Sequence, residues 1–267
     1  MTSTLNIALA QTTVSTSSEE NLQAAGRWVR QAADLGADLV VFPEMFMARP
    51  IQEVALAKVA EPLDGHFVST LSTLAVENSI SIICGIWESV KGDPERAANV
   101  AVALGSNGEL LARYNKIHLF DALNVRESDR MTGGNTPPPL FSLKDMQLGL
   151  AICYDLRFPE LFRDLALRGA DGVIVPSAWY SGPLKEEHWL TLLKARAIEN
   201  TMYICGANLC GPPFSARSAI YDPFGAAIAG SGEEEMLVCG PLKAGRIKEV
   251  RDKLPTLTHV HRELFNG

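Results

Sequence analysis

Short apolar runs alternate with amphipathic stretches along the chain, and the two kinds of segment differ in their period. The run N-I-A-L-A-Q precedes residues 18–35, which have helical spacing, and the apolar run D-L-V-V-F-P-E follows them. This order is typical of a βαβ unit, in which a buried strand is covered by a helix. The chain is therefore predicted to be an α/β protein whose sheet lies under helices.

The same two patterns continue through the rest of the chain. Runs of β-branched and aromatic residues predict strands at residues 80–87, 99–104, 110–114, 147–153, 172–176, 203–208, 218–221 and 236–240. Apolar residues at three- and four-residue spacings predict helices at residues 66–77, 159–168, 188–199 and 244–254. Residues 123–140 contain a Gly-Gly pair and three consecutive prolines, which predicts a long functional loop.

One nine-residue segment occurs twice, as G-A-D-L-V-V-F-P-E at residues 36–44 and as G-A-D-G-V-I-V-P-S at residues 169–177. A glycine that closes a helix and a proline that ends a strand are common in α/β units, so generic loop chemistry is one interpretation. The other interpretation is a duplicated half. It predicts two sheets packed face to face with helices on the outside.

Length and composition narrow the class of protein. With 267 residues, 47% of them hydrophobic, and no composition break, we predict a single domain over residues 1–267. The five cysteines show no C-x-x-C spacing, which argues against a disulfide framework or a zinc site. The lack of a signal-peptide pattern and of an apolar run of about 18 residues predicts a cytoplasmic protein without membrane contact. The net charge of −7 and the scattered Lys and Arg make nucleic acid an unexpected partner.

Cys153 ends the apolar run Q-L-G-L-A-I-C, and a predicted helix begins a few residues later. This order predicts a thiol at a strand-to-helix turn, close to backbone N–H groups that favour a thiolate and an oxyanion. The alternative is a cysteine that acts as a small apolar residue, which is the interpretation for Cys84, Cys205 and Cys239.

Two charged residues also follow apolar runs directly. Glu44 comes after L-V-V-F-P, and a carboxylate in partly apolar surroundings is suited to general base catalysis. Lys116 lies between L-L-A-R-Y and I-H-L-F, where a fixed cation favours a thiolate and a developing oxyanion. A strand-capping glutamate and a surface lysine are the alternatives that these residues alone leave open.

Three ordered motifs resemble the Glu-Lys-Cys signature of the nitrilase-like carbon-nitrogen hydrolase superfamily: F-P-E, Y-N-K-I-H-L-F-D and C-Y-D-L-R-F-P-E-L. The resemblance implies an α/β fold of the four-layer α-β-β-α sandwich type, assembled as a homodimer or higher homo-oligomer. It implies an amidase with Cys153 as nucleophile, Glu44 as base and Glu127 as a second, orienting glutamate. Lys116 and the backbone N–H of Tyr154 are expected to hold the oxyanion. A thioester mechanism of this kind requires no metal and no organic cofactor.

The resemblance also implies a small-molecule amide as substrate. The letters Y-D after the cysteine resemble the amidase and carbamoylase branches, which disfavours nitriles. The loop before Glu127 and the C-terminal segment resemble a bacterial branch that cleaves deaminated glutathione to 2-oxoglutarate and cysteinylglycine. The alternatives are an omega-amidase acting on 2-oxoglutaramate, an N-carbamoyl amino acid amidohydrolase, and a catalytically silent interaction module.

Cations near the inferred site are candidates for binding a 2-oxo-acid carboxylate. Any one of Arg126, Arg130 and Arg157 is a candidate to do so through a bidentate pair. Tyr154 and Trp179 are predicted to be substrate-binding residues as well. For Arg157 the alternative is an ion pair with Asp155 or Glu160.

Overall fold

A computed structural model describes residues 4–264, without the side chain of Arg262, so both ends of the predicted domain lie outside the described part. The strands are β1 (Thr4–Gln11), β2 (Leu39–Val41), β3 (Ser81–Ser89), β4 (Ala97–Leu104), β5 (Leu110–Asn115), β6 (Asp121–Ala122), β7 (Val125–Arg126), β8 (Met131–Thr132), β9 (Leu140–Leu143), β10 (Met146–Leu150), β11 (Gly172–Ser177), β12 (Tyr203–Asn208), β13 (Ala219–Tyr221), β14 (Ala227–Gly230) and β15 (Met236–Lys243). The α-helices are α1 (Ser18–Asp34), α2 (His66–Asn78), α3 (Pro159–Leu167), α4 (Lys185–Asn200) and α5 (Ala244–Lys253).

The two large sheets have the same internal order. The first runs β15-β1-β2-β3-β4-β5, with β8 added beside β4, and the second runs β9-β10-β11-β12-β13-β14. In each sheet the first pair is antiparallel, the next two pairs are parallel and the last two pairs are antiparallel. This repeated topology agrees with a duplicated half.

The sheets pack face to face, because their inner side chains form one apolar core. Along β1 the side chains alternate, so that Leu5, Ile7 and Leu9 join the core shared with the second sheet, whereas Ala8 and Ala10 join the cluster that α1 and α2 cover. Helices α3 and α4 pack on β11 and β12 of the second sheet. The predicted four-layer α-β-β-α sandwich is confirmed.

Several element boundaries differ from those predicted. The strand predicted to end at Cys153 ends at Leu150, because Cys153 starts a short 3-10 helix (Cys153–Arg157). The helix predicted to start at His188 starts at Lys185, where two glutamates in the first turn favour the helix N-terminus. Strands β9 and β14 were not predicted because they are short and only partly buried. Within residues 4–264, no helix is long and apolar enough to cross a membrane.

Candidate active site

Glu44 and Cys153 follow central parallel strands of different sheets, β2 and β10. At both places the backbone takes a positive φ, +59° at Met45 and +45° at Cys153. Such a conformation costs a non-glycine residue about 1–3 kcal/mol and is frequent at functional turns. The turn that carries Glu44 packs so closely on β3 that a Cβ at Gly85 would lie 2.6 Å from the Cα of Glu44. Only glycine fits at that position.

The ammonium group of Lys116 is fully buried between two carboxylates. Its Nζ donates to Glu44 Oε1 at 2.8 Å and lies 2.8 Å from Glu127 Oε2. Burial disfavours the charged form, but the two carboxylates outweigh this effect and raise the pKa of Lys116 well above its usual value. Lys116 is therefore a permanent cation.

Both oxygens of Glu44 are held by donors from other parts of the fold. Oε1 accepts from Asn99 Nδ2 at 2.7 Å in addition to Lys116, and Oε2 accepts from the backbone N–H of Ala178 at 2.9 Å. The side chain is almost completely buried. Its position is thus fixed by β4, by the segment after β5 and by the residue after β11.

Glu127 is held in a similar way at the edge of the same cluster. Its Oε2 accepts from the backbone N–H of Phe120 at 2.7 Å. Burial raises the pKa of Glu127, while the charge of Lys116 acts in the opposite direction and that of Glu44 adds to the increase. Glu127 is thus a second carboxylate in contact with the Lys116 ammonium group.

Cys153 lines the same pocket as Glu44 and Glu127. Burial and the carboxylate of Glu44 raise the pKa of the Cys153 thiol well above its usual value. Lys116 and the backbone N–H of Ala178 favour the thiolate, but they do not outweigh burial. The resting thiol is therefore protonated, and a base must take its proton when it attacks.

Behind the nucleophile, a buried carboxylate fixes the turn. Asp155 Oδ2 accepts from the Tyr114 hydroxyl at 2.8 Å and from the N–H of Ile152 at 2.9 Å, and Oδ1 lies 2.7 Å from His118 Nδ1. The His118 ring stacks on Phe158 with 3.6 Å between the ring centroids. His118 and Asp155 therefore support the turn and do not line the pocket.

The pocket walls are mostly aromatic and carry two cations. The guanidinium of Arg157 lies 4.8 Å from the centroid of the Trp179 ring, and Nη2 lies 3.4 Å from His188 Nδ1. The structure describes Arg157, Asp155 and Glu160, and no ion pair joins Arg157 to either carboxylate. The alternative of such an ion pair is therefore wrong. Tyr154 and Trp179 line this pocket, and their contact with substrate stays a prediction.

Arg126 does not line this pocket. It lies in an adjoining outer cleft, lined by residues 124–127 and 129–131, Arg49 and Phe214, which shares Met45, Glu127 and Tyr180 with the pocket. Its side chain is 71% exposed and only loosely paired with an aspartate at 3.5 Å. Arg126 is therefore placed to contact only a part of the substrate that extends into the outer cleft.

Two residues of the site are not predicted from the sequence. Asn99 is a lone amide in the apolar run A-A-N-V-A-V-A, and a buried polar side chain in such a run is a signal for a specific hydrogen bond. Lys185 occupies the first position of α4 next to two glutamates, a pattern that indicates an exposed helix start. Its burial depends on contacts that local sequence does not contain.

Comparison with known proteins gives consistent matches over nearly the whole chain. A family model described as carbon-nitrogen hydrolase matches residues 6–252. The chain is 40% identical over 254 residues to the deaminated glutathione amidase of Escherichia coli O157:H7, covering 95% of this chain and 96% of that protein.

Solved structures agree with this similarity. The NitFhit protein of C. elegans superposes with a TM-score of 0.92 at 30% identity, covering 99% of this chain and 67% of that chain. An amidase from Nesterenkonia sp. AN1 superposes with a TM-score of 0.83 at 28% identity, covering 97% of this chain and 95% of that chain. In that structure a glutamate-to-glutamine mutant shows covalent addition of the acetamide moiety of fluoroacetamide at the active-site cysteine.

Proposed function

This chain belongs to the carbon-nitrogen hydrolase family and is an amide-hydrolysing enzyme, and from that premise we propose a cysteine amidase that cleaves deaminated glutathione. The observation that carries the proposal is the buried Glu44–Lys116–Glu127 cluster at the pocket that Cys153 lines. Family membership sets aside the catalytically silent module.

In the first half of the reaction, Sγ of Cys153 attacks the amide carbonyl carbon while Glu44 takes the thiol proton. Lys116 and the backbone N–H of Tyr154 stabilise the oxyanion of the tetrahedral intermediate. The C–N bond then breaks, and Glu44 returns the proton to the departing amine. The acyl group remains on Cys153 as a thioester.

In the second half, water attacks the thioester carbonyl and Glu44 takes its proton. The C–S bond breaks, the acid product leaves, and the proton returns from Glu44 to Cys153. The raised pKa of the Cys153 thiol agrees with this cycle, which begins with transfer of the thiol proton to Glu44 and ends with its return to sulfur.

The proposed substrate follows from the curated relatives and from the shape of the site. The pocket is small and aromatic and carries cations, which suits a short acyl chain ending in a carboxylate, such as a 2-oxoglutaryl group. Among the candidate arginines, Arg157 lines this pocket and is the one proposed for that carboxylate. The outer cleft, which includes Arg126, gives room for the cysteinylglycine leaving group.

The test is a comparison of kcat/KM for deaminated glutathione, 2-oxoglutaramate, N-carbamoyl amino acids and nitriles, with ammonia and carbon dioxide both measured. We expect deaminated glutathione to be preferred. A preference of tenfold or more for 2-oxoglutaramate, about 1.4 kcal/mol of transition-state binding, would make the enzyme an omega-amidase instead. Release of carbon dioxide would indicate an N-carbamoyl amidohydrolase.

A cytoplasmic location and a homodimer or higher homo-oligomer remain part of the proposal. Support for assembly comes from exposed apolar side chains on and near α4, namely Leu184, Ile198 and Phe224. Light scattering coupled to size-exclusion chromatography measures the mass in solution. A mass of one chain at micromolar concentration would contradict the homo-oligomer.

A further inference from the structure

Lys185 presents a buried ammonium group to the pocket of Cys153. The residue is only 9% exposed and lines that pocket. Its Nζ lies 4.8 Å from the centroid of the Trp179 ring and 5.5 Å from that of the Phe120 ring. Among the residues that the structure describes, no carboxylate lies within ion-pair distance of this nitrogen.

The neighbouring glutamates do not neutralise Lys185. Glu186 and Glu187 follow it in the first turn of α4, but both are exposed, and the carboxylate of Glu186 lies 4.0 Å from Nε of Arg217. Lys116 differs in this respect, because it has two carboxylates within 2.8 Å. Of these two buried ammonium groups, Lys116 is neutralised from within the protein and Lys185 is not.

Two aromatic rings compensate only part of the cost of this burial. A lysine over an aromatic face gains about 0.5–2 kcal/mol, whereas buried charges are otherwise found paired or hydrogen-bonded. Burial and the positive charge of Arg157 both lower the pKa of Lys185, so Arg157 adds to the cost of the charged form. Both cations lie over the same Trp179 ring. An anion bound close to both cations would offset their repulsion and supply the missing counter-ion.

We propose that Lys185 binds the carboxylate of the acyl part of the substrate and thereby selects amides of anionic acyl chains over amides of neutral ones. The proposal rests on the proposed function, because it assigns a binding residue within the same pocket. Its ligand is a carboxylate at the end of a short acyl chain, since Lys185 and Cys153 line one small pocket. Arg157 shares that carboxylate and does not replace Lys185.

The test uses two substrates that differ only in the proposed ligand group. One is deaminated glutathione, and the other is N-(4-oxopentanoyl)cysteinylglycine, in which a methyl group replaces the carboxylate beside the ketone. We expect Lys185→Met to lower kcat/KM on deaminated glutathione by about 30- to 100-fold, because an anionic group is left in the pocket with one cation fewer. On the neutral analogue we expect a change of less than about threefold.

Two further variants keep the test decisive. Lys194→Met removes an exposed lysine from the same helix and should leave both rates unchanged. Lys185→Gln keeps a polar head on a side chain of related length and should lose the same selectivity as Lys185→Met. Hydrolysis of the neutral analogue by either Lys185 variant shows that the protein is folded.

The outcomes separate this inference from the proposed function. If the wild type does not hydrolyse deaminated glutathione, the proposed function is wrong. If it hydrolyses both substrates equally well, the acyl carboxylate is not recognised, and only the inference about Lys185 is wrong. If the wild type prefers deaminated glutathione but both Lys185 variants keep that preference, only the role of Lys185 is wrong. An equal loss on both substrates in both variants would also overturn it, since Lys185 would then support the site and not select the acyl chain.

Discussion

The turn after β1 and the turn after β10 occupy equivalent positions in the two halves of the molecule. Ile7 of β1 pairs with Leu39, and Leu148 of β10 pairs with Gly172, in sheets of the same strand order. Counting five residues beyond each paired residue leads to Thr12 in the first half and to Cys153 in the second. The two halves therefore place a hydroxyl and a thiol at matching strand ends.

The first of these turns is closed by a carboxylate of the protein itself. Oε1 of Glu235 accepts from the backbone N–H of Thr13 at 2.7 Å, from its hydroxyl at 2.7 Å and from the hydroxyl of Thr12 at 3.0 Å. The indole of Trp28 donates to the Thr12 oxygen at 3.2 Å. Thr12 thus has its hydroxyl engaged by Glu235 and Trp28, and with them it lines a separate surface cleft.

The second turn, which carries Cys153 and Tyr154, faces the candidate active-site pocket. Tyr154 corresponds to Thr13, and its N–H lies in the first turn of a 3-10 helix, where backbone donors have no partner within the helix. At the matching position of the first half, the N–H of Thr13 binds a carboxylate oxygen. The N–H group at this position therefore already binds an anionic oxygen in the first half, which supports the N–H of Tyr154 as an oxyanion donor in the second.

The same comparison applies to the strands beside these turns. Glu44 lies five residues beyond Leu39, and Ser177 lies five residues beyond Gly172 in the repeated nine-residue segment. Ser177 is buried and donates only to the carbonyl of Val175 at 3.3 Å. The candidate site therefore combines a carboxylate from one half with a thiol from the other.

The largest expected effect is on turnover, and it distinguishes the strand end that carries Cys153 from the one that carries Thr12. We expect Cys153→Ala to lower kcat by at least about 10⁴-fold, roughly 5.5 kcal/mol, because no other group can form the thioester. Thr12→Ala should change kcat by less than about threefold. Steady-state kinetics measures both, and circular dichroism checks that both variants are folded.

Mass spectrometry of the wild type with a slow substrate should find the acyl adduct on Cys153. Cys84 and Cys205 are fully buried in strands, and burial raises the pKa of both thiols, so neither is expected to react. An adduct on either of them, with Cys153 unmodified, would overturn the assignment of the nucleophile.

The next largest effect concerns Glu44 and its counterpart Ser177. We expect Glu44→Gln and Lys116→Met each to lower kcat by about 10³-fold with a smaller change in KM, because both act on charge that develops in the transition state. Glu127→Gln should be milder, since Glu127 orients Lys116 and exchanges no proton. Ser177→Ala is the matched control and should retain kcat within about threefold. Near wild-type turnover by Glu44→Gln would require another base.

How much of this site follows from the sequence depends on whether a residue is positioned by its own segment or by distant contacts. Glu44, Lys116 and Cys153 each follow an apolar run directly, and the structure brings them together. Asn99 was not predicted because its hydrogen bond to Glu44 joins residues 55 positions apart. The catalytic roles of these residues stay predictions until the variants are measured.

The same distinction between local and distant contacts applies to the fold. The repeated segment had two open interpretations, of which the duplicated half agrees with the matching strand order of the two sheets. Asp38 and Asp171 each accept the backbone N–H of a residue in the preceding strand, Asn6 at 2.8 Å and Gln147 at 3.0 Å. Burial of Lys185 was not predictable, since it depends on Trp179 and Phe120, which lie in different segments.

A smaller effect is expected at the carboxylate that fixes the turn of Cys153. Asp155 is fully buried and accepts from Tyr114 and from the N–H of Ile152. We expect Asp155→Asn to lower the free energy of unfolding by about 2–3 kcal/mol, because the amide NH₂ faces donors that it cannot accept from. Urea denaturation measures the change. A loss below about 0.5 kcal/mol would mean that the turn does not depend on this carboxylate.

The smallest expected effect is at Glu235, which closes the other turn. Its side chain is exposed, so we expect Glu235→Gln to lower the free energy of unfolding by only about 1 kcal/mol at neutral pH, after allowing for solvent screening. Burial disfavours the carboxylate, but hydrogen bonds from the N–H and hydroxyl of Thr13 and from Thr12 outweigh burial and lower the pKa of Glu235 from its ordinary value. A carboxyl group with a lowered pKa stabilises the folded state at pH values above its unfolded-state pKa, and it loses this contribution as pH falls through its folded-state pKa.

The difference in unfolding free energy between wild type and Glu235→Gln should therefore be constant from pH 6 to pH 8 and shrink below about pH 4.5, while kcat stays unchanged. A difference that is independent of pH down to about pH 3 would show that the carboxylate charge does not hold the turn, and the parallel between its N–H and that of Tyr154 would lose its support.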